Sequence, residues 1–419
     1  MLKWIPRTAI PISLEEIATI VKKICTGEVI EGNDIETFER NFVNYLGCKH
    51  AVSVNKGRTA LTVSLEALNL KPGDEVIAPA FTCPIIFEAV LRSKLKLVLV
   101  DVNSGTFNID LELMEKAVSS KSKVVIPVHM FGQPCDIEAI VEIANQHGLY
   151  VIEDVAQALG AKYMERKVGI FGDLSFFSFG PGKNITCGEG GIIGINNEEV
   201  VEKTFEMRSE LPKPDMKDVL SIVKNIFAMY MFSSPYLYGL VMERVREKTE
   251  KEDNMTTQNL VRLVGGQQGV LYPTMQLKRM SNVSAAIASI QLKKVDEMNQ
   301  KRVDNAKTYT SQLNNFAEIC NCKLPEKGSS VESVFTRYVI KAPKKKRDFL
   351  ADQLIRHGID VERPYHFLSR ILDSFGHFSR AEQLCKTLIT LPNQPSLSAS
   401  ELSWILGVFE KISGEGFSG

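Results

Sequence analysis

From about residue 50 to 195 the chain alternates short β-branched runs with stretches of helical period. Asp74-Glu-Val-Ile-Ala78, Leu97-Val-Leu-Val-Asp101, Val124-Val-Ile-Pro-Val128 and Tyr150-Val-Ile-Glu153 read as strands. Their spacing predicts βαβ units and a mostly parallel sheet covered by helices. Asp136 to His147 reads as a helix ended by Gly148, with Ile137, Ile140, Val141 and Ala144 on one face. A longer helix is predicted from Ser281 to Ala306, its apolar positions Ile287, Ile290, Leu292 and Val295 separated by polar ones. From about residue 335 a separate α/β piece follows, with Arg337-Tyr-Val-Ile-Lys341 as a strand and Lys346 to Gly358 as a glycine-ended helix.

Residues 210 to 274 break this alternation, opening with Leu211-Pro-Lys-Pro214 and closing in the polar stretch Val245 to Gln258. Inside them, Asn225 to Met242 has no charge, a length at the lower limit for crossing a bilayer. The run also holds Ser233, Ser234, Pro235 and Gly239. Two short helices bent at Pro235 and packed on a subunit or domain surface fit this better than a span, with peripheral membrane contact through 225–242 as the alternative. The expected division is a large domain from 1–209 and 275–300, an insertion over 210–274 and a small C-terminal domain over 301–419.

With 419 residues and 44% hydrophobic content the chain can bury a large core. Its 50 basic residues balance 50 acidic ones, so net charge points to neither nucleic acid nor an acidic membrane as the main partner. The start Met-Leu-Lys-Trp-Ile-Pro-Arg lacks the pattern of a secretory signal, which makes the cytoplasm the expected compartment and the eight cysteines reduced. The close pair Cys320 and Cys322 has neither the spacing nor the partners of a zinc site, and no metal is expected.

The chemistry gathers around two residues. Leu149-Tyr-Val-Ile-Glu-Asp154 is an apolar run ending in two carboxylates, the pattern of a buried parallel strand that delivers Asp154 into a ligand crevice. Twenty-nine positions on, Lys183 stands in Ser178-Phe-Gly-Pro-Gly-Lys183-Asn-Ile-Thr-Cys-Gly188-Glu-Gly-Gly191, between a hydroxyl-bearing turn and a glycine-rich one. A P-loop is excluded because Phe177 and Asn184 occupy positions that motif gives to glycine and a hydroxyl, and a dinucleotide fingerprint because Ile185 replaces its last glycine. The glycines alone fit the turns of a β-hairpin equally well. A strand-end acid together with a lysine whose amine can be turned into a nucleophile fits pyridoxal 5'-phosphate, PLP.

Asp154-Val-Ala-Gln157-Ala-Leu-Gly-Ala, Gly172-Asp173-Leu-Ser-Phe-Phe-Ser178-Phe, Lys183 and Gly188-Glu-Gly-Gly191 resemble the core motifs of the DegT/StrS-type aminotransferases. The resemblance extends to Phe38-Glu39, Tyr45-Leu-Gly47, Gly73-Asp-Glu-Val-Ile77, Val128-His-Met-Phe-Gly-Gln133 and Arg279-Met-Ser-Asn282, and so over most of the chain outside the insertion. It implies a fold-type-I α/β architecture: a large domain with a mostly parallel, seven-stranded sheet between helices, and a smaller C-terminal α/β domain. It also implies a homodimer with active sites between subunits, a nucleotide-linked keto sugar as substrate and an amino-acid donor, glutamate above all.

Carried over by residue, the resemblance makes Lys183 the Schiff-base lysine and general base. Asp154 becomes the partner of the pyridine nitrogen, and Gln157 a neighbour of the cofactor's phenolic oxygen. Gly57, Arg58, Thr59 and Ser178 would hold the phosphate at a helix N-terminus, Arg58 standing where the family usually has threonine. Cys83 takes the position of the family's stacking aromatic, with Phe81 two residues away on the same side if that segment is extended. His129 and Arg279 are candidate substrate contacts, and Leu277 replaces an asparagine that reaches the phosphate from a neighbouring subunit. Two rival readings on the same fold are a sugar dehydratase, in which histidine replaces the lysine, and a PLP-binding regulatory or scaffold protein.

Overall fold

The computed structural model describes residues 4–9, 11–232, 277–313, 330–366 and 368–414. The bend at Pro235, the polar stretch 245–258 and the pair Cys320 and Cys322 lie outside them.

The alternation of strands and helices builds one seven-stranded sheet. Its strands are β1 (His50–Val54), β2 (Glu75–Pro79), β3 (Lys96–Val100), β4 (Ser122–Val125), β5 (Tyr150–Asp154), β8 (Leu174–Ser178) and β9 (Gly191–Ile195), in the order β1-β9-β8-β5-β4-β2-β3. The pairs from β3 to β8 are parallel, whereas β9 runs antiparallel to both β8 and β1. The expected mostly parallel, seven-stranded sheet is therefore present. Every residue of β2 and β9 is buried, as strands covered by helices on both faces require. Two small sheets complete the fold. One joins β6 (Lys162–Tyr163), β7 (Arg166–Lys167) and β10 (Val331–Glu332); the other pairs β11 (Tyr338–Lys341) with β12 (Leu388–Leu391).

Local signals set the helix ends. Ser13 and Glu16 form a capping box at the start of the helix Leu14–Thr26, and Gly27 closes it at φ 74°. The helix Ile137–His147 ends at Gly148, φ 64°, as its sequence predicts. The helix Asn282–Leu313 runs 32 residues without a break, about 48 Å at 1.5 Å per residue. Ile287 and Leu292 lie in a hydrophobic cluster against the central sheet, while Ala306, Tyr309 and Leu313 lie in another with Tyr338, Leu350 and Ile405. There Tyr309 stacks on Tyr338 at 4.7 Å. The start of the chain joins this second cluster, where Ile5 bridges Ile359 in parallel.

Of the uncharged run Asn225 to Met242, the described part belongs to the helix Met216–Phe232. Val219, Ile222 and Ile226 bury one side of it, and Ile222 and Ile226 rest on the turn at Gly188, where a Cβ would lie 3.1 Å from Ile222 Cγ2 and 3.3 Å from Ile226 Cγ1. Among the described residues no helix is long and apolar enough to cross a membrane.

Candidate active site

The hairpin of β8 and β9 carries Lys183 in its connecting loop, and β5, hydrogen-bonded to β8, ends at Asp154. Parallel sheets place ligands at such strand ends. The residues on either side of Lys183 are clamped. Arg337 Nη1 donates to the Gly182 carbonyl at 3.0 Å, and Arg302 Nη2 to the Asn184 carbonyl at 2.7 Å. Asn184 Nδ2 donates to Asn299 Oδ1 at 3.1 Å, and Thr336 Oγ1 to Asn184 Oδ1 at 3.3 Å. The lysine is thus presented by a fixed loop rather than a mobile one.

Asp154 is 5% exposed, and its Oδ1 accepts the Ala156 N–H at 2.9 Å. Burial raises its carboxyl pKa above the ordinary value, while the charge of Lys183, the Ala156 N–H and His129 oppose the rise. A carboxylate in this position ionises readily only beside a further cation or N–H donor. The protonated nitrogen of a pyridine ring is such a partner.

An anion seat lies on the other side of the hairpin. A Cβ added to Gly57 would stand 2.7 Å from Ser178 Cβ and 3.1 Å from its Oγ. The Ser178 hydroxyl therefore lies against the first turn of the helix Gly57–Ala67, whose N-terminal dipole attracts a phosphate. Gly191 allows the close approach behind it, since a Cβ there would come within 2.4 Å of the Lys56 carbonyl carbon. The Thr59 hydroxyl donates to Asn55 Oδ1 at 2.7 Å, which leaves Ser178 as the side-chain hydroxyl of the seat. Arg58 lies 3.9 Å from buried Glu88. The buried carboxylate, the lysine, the hydroxyl and the helix end fit PLP.

Gly57→Ala is expected to weaken PLP binding by about tenfold or more, since an overpacked methyl costs about 1–3 kcal/mol. Spectral titration of the cofactor-free protein measures this, and an unchanged affinity would place the phosphate elsewhere.

The C-terminal part of the chain contributes groups that local sequence patterns do not reveal. Tyr365, at φ 52°, points its hydroxyl at Gln157, whose Nε2 donates to it at 3.1 Å. Its ring is edge-on to Phe81 at 5.3 Å and nearly parallel to Phe131 at 6.5 Å. Burial holds the phenol well above its ordinary pKa, with Cys83, Glu362 and Asp154 adding to the effect.

Three expectations change. β2 ends at Pro79 and the next helix begins at Ile85; the chain turns between them, so Phe81 and Cys83 do not share one side of an extended segment. Phe81 is fully buried, whereas Cys83 is half-buried, and burial raises its thiol pKa against the charge of Lys183. His129 is also fully buried and has both ring nitrogens engaged: Nδ1 accepts the Cys135 N–H at 3.0 Å, leaving Nε2 to donate to Glu153 at 3.1 Å. It braces Glu153, which also accepts the N–H groups of Gly169, Phe171 and Gly172, and is not available to a substrate. Arg279 Nε donates to the Leu211 carbonyl at 3.0 Å, and its Nη2 to that of Ser209, so its guanidinium caps the C-terminal end of the helix Val201–Glu210.

A fold-type-I sheet with a strand-end carboxylate, a loop lysine and a hydroxyl at a helix N-terminus defines a PLP-dependent transaminase. The sequence model of the DegT/DnrJ/EryC1/StrS aminotransferase family matches residues 11–220 and 242–410, and the chain belongs to that family. The unmatched stretch, 221–241, is only part of the insertion expected over 210–274, the rest of which the family model matches.

Among its relatives, the GDP-perosamine synthase of Caulobacter vibrioides is 29% identical over 389 residues, 91% of this chain and 90% of that one. The dTDP-3-amino-3,4,6-trideoxy-alpha-D-glucose transaminase of Streptomyces venezuelae is 29% identical over 391 residues, 91% and 88% of the two chains. The crystal structure of S. venezuelae DesV in complex with a ketimine intermediate superposes with a TM-score of 0.73 at 26% identity, covering 98% and 99%.

Proposed function

We propose that this transaminase moves an amino group from glutamate to a keto sugar carried on a nucleotide. The placement of Lys183, on a clamped loop across from buried Asp154, carries the reading. Relatives named for GDP- and dTDP-linked sugars supply the acceptor class. PLP, when bound, supplies the electron sink for both half-reactions. Lys183 would hold the cofactor through its amine and, once released from it, would move the proton at the reacting carbon. Asp154 would keep the ring nitrogen protonated. Gln157, held by Tyr365, would serve the phenolic oxygen. Ser178 and the turn from Gly57 to Thr59 would seat the phosphate.

The test is to convert the protein with glutamate, remove the excess and add keto-hexoses linked to GDP or dTDP. Return of the PLP absorbance, with an amine replacing the carbonyl oxygen in the product mass, is the expected result. Recovery with simple keto acids alone would refute the sugar acceptor. We further propose a homodimer with sites at the interface, which sedimentation of the active protein tests; an active monomer would refute it.

A further inference from the structure

The order of strands in the sheet separates two edges of the site. The phosphate seat lies where β1 and β8 end, at Gly57 and Ser178, and Asp154 ends β5. Met130 and Phe131 follow β4 and Phe81 follows β2, on the far side of β5. A pyridine ring held at its nitrogen by Asp154 and at the opposite carbon by Lys183 carries its phosphate arm on one edge and its phenolic oxygen on the other. With the arm on the β8 side, the oxygen faces the side of β4 and β2.

Tyr365 stands on that side. Its ring is edge-on to Phe81 at 5.3 Å and nearly parallel to Phe131 at 6.5 Å. Both Tyr365, φ 52°, and Phe131, φ 56°, have left-handed backbone. A residue with a side chain keeps that conformation only where its surroundings over-determine it, and such positions gather at active sites. Here the Leu368 N–H donates to the Tyr365 carbonyl at 2.9 Å, and the Thr390 N–H to that of Glu362 at 2.8 Å. The ring is therefore aimed by contacts on both sides.

The hydroxyl has a proton to give. Gln157 Nε2 donates to it at 3.1 Å, and among the described residues nothing accepts its own O–H. Burial, with Cys83, Glu362 and Asp154 behind it, keeps the phenol protonated, as a donor must be. The amide of Gln157 is less free. One of its protons is directed at Tyr365, and its nitrogen lies 3.7 Å from Met130 Sδ, a weak acceptor.

We propose that Tyr365 is the direct hydrogen-bond donor to the phenolic oxygen of PLP, and that Gln157 serves that oxygen through the tyrosine, as a positioning residue. The inference rests on PLP lying between Lys183 and Asp154, and on neither the donor nor the sugar. A donor to this oxygen lowers its basicity, so the proton it shares with the nitrogen of Lys183 leaves at lower pH.

Spectral titration of the PLP-loaded protein, with no substrate present, reads this contact. In Tyr365→Phe, which keeps both ring contacts, the pH midpoint of the change in the visible band is expected to rise by about one unit, the effect of losing one hydrogen bond to a charged oxygen. Gln157→Leu should shift it in the same direction and by less. PLP affinity of the cofactor-free Tyr365→Phe protein should fall by about three- to tenfold. A hydroxyl that only supports the fold would lower the melting temperature of the cofactor-free variant and leave the midpoint in place, which would overturn the assignment. So would a midpoint unmoved in Tyr365→Phe and shifted in Gln157→Leu, since the amide would then be the donor. A protein inactive on glutamate or on nucleotide sugars would still give the shift, so failure of the proposed substrates and failure of this contact are read separately.

Discussion

Replacing Lys183 with alanine is expected to abolish the half-reaction, with a loss of at least about 10⁴-fold in the single-turnover rate with glutamate. The lysine carries two duties in the proposed mechanism, covalent attachment of PLP and proton transfer, and no other amine lines the same loop. Its neighbours Gly182 and Asn184 are held by Arg337 and Arg302, so the substitution should leave the loop and the fold in place. The visible band of the lysine-bound cofactor should vanish while the circular dichroism of the protein is preserved. A variant that retains the band and a rate within tenfold of the parent would remove Lys183 from the chemistry altogether.

Asp154→Asn is expected to lower the same rate by about 10³-fold, because an amide cannot balance the charge of a protonated ring nitrogen in a buried site. The substitution separates catalysis from stability. Burial raises the folded-state pKa of Asp154, so in the cofactor-free protein the folded form holds its proton more tightly than the unfolded chain. Stability from this group is present at low pH and is lost as pH rises from the ordinary aspartate value through the raised one. The amide of the variant does not titrate. Melting temperatures of the cofactor-free proteins across that window should fall with pH for the parent more steeply than for the variant, with the Ala156 N–H still capped by the amide oxygen. Equal slopes would mean that Asp154 is solvated or already paired with Lys183.

The sequence made the sheet and the two central residues legible for a physical reason. A parallel strand buried on both faces must be written in consecutive apolar residues, so Tyr150 to Asp154 announces both its burial and its polar end. Lys183 was legible because glycines crowd its loop; a Cβ on Gly190 would stand 2.5 Å from Cys187 Sγ, and one on Gly191 2.4 Å from the Lys56 carbonyl carbon. His129 and Arg279 looked like ligand contacts because their partners, Glu153 and the Ser209 and Leu211 carbonyls, are fixed by folding and not by adjacency. Arg337 and Tyr365 were hidden for the same reason. Each lies more than 150 positions from Lys183 or Gln157, and within its own segment Arg337 is merely the residue before a strand.

The helix Asn282–Leu313 also ties two hydrophobic clusters together. Because one continuous rod supplies side chains to both, moving the second cluster away from the sheet would require bending a helix that contains neither glycine nor proline. The rod also holds Arg302, which grips the lysine loop. Any such bend would therefore pull directly on Lys183. If the acceptor is the sugar nucleotide proposed above, side-chain and loop rearrangement at the mouth of the site would admit it at less cost than bending this helix.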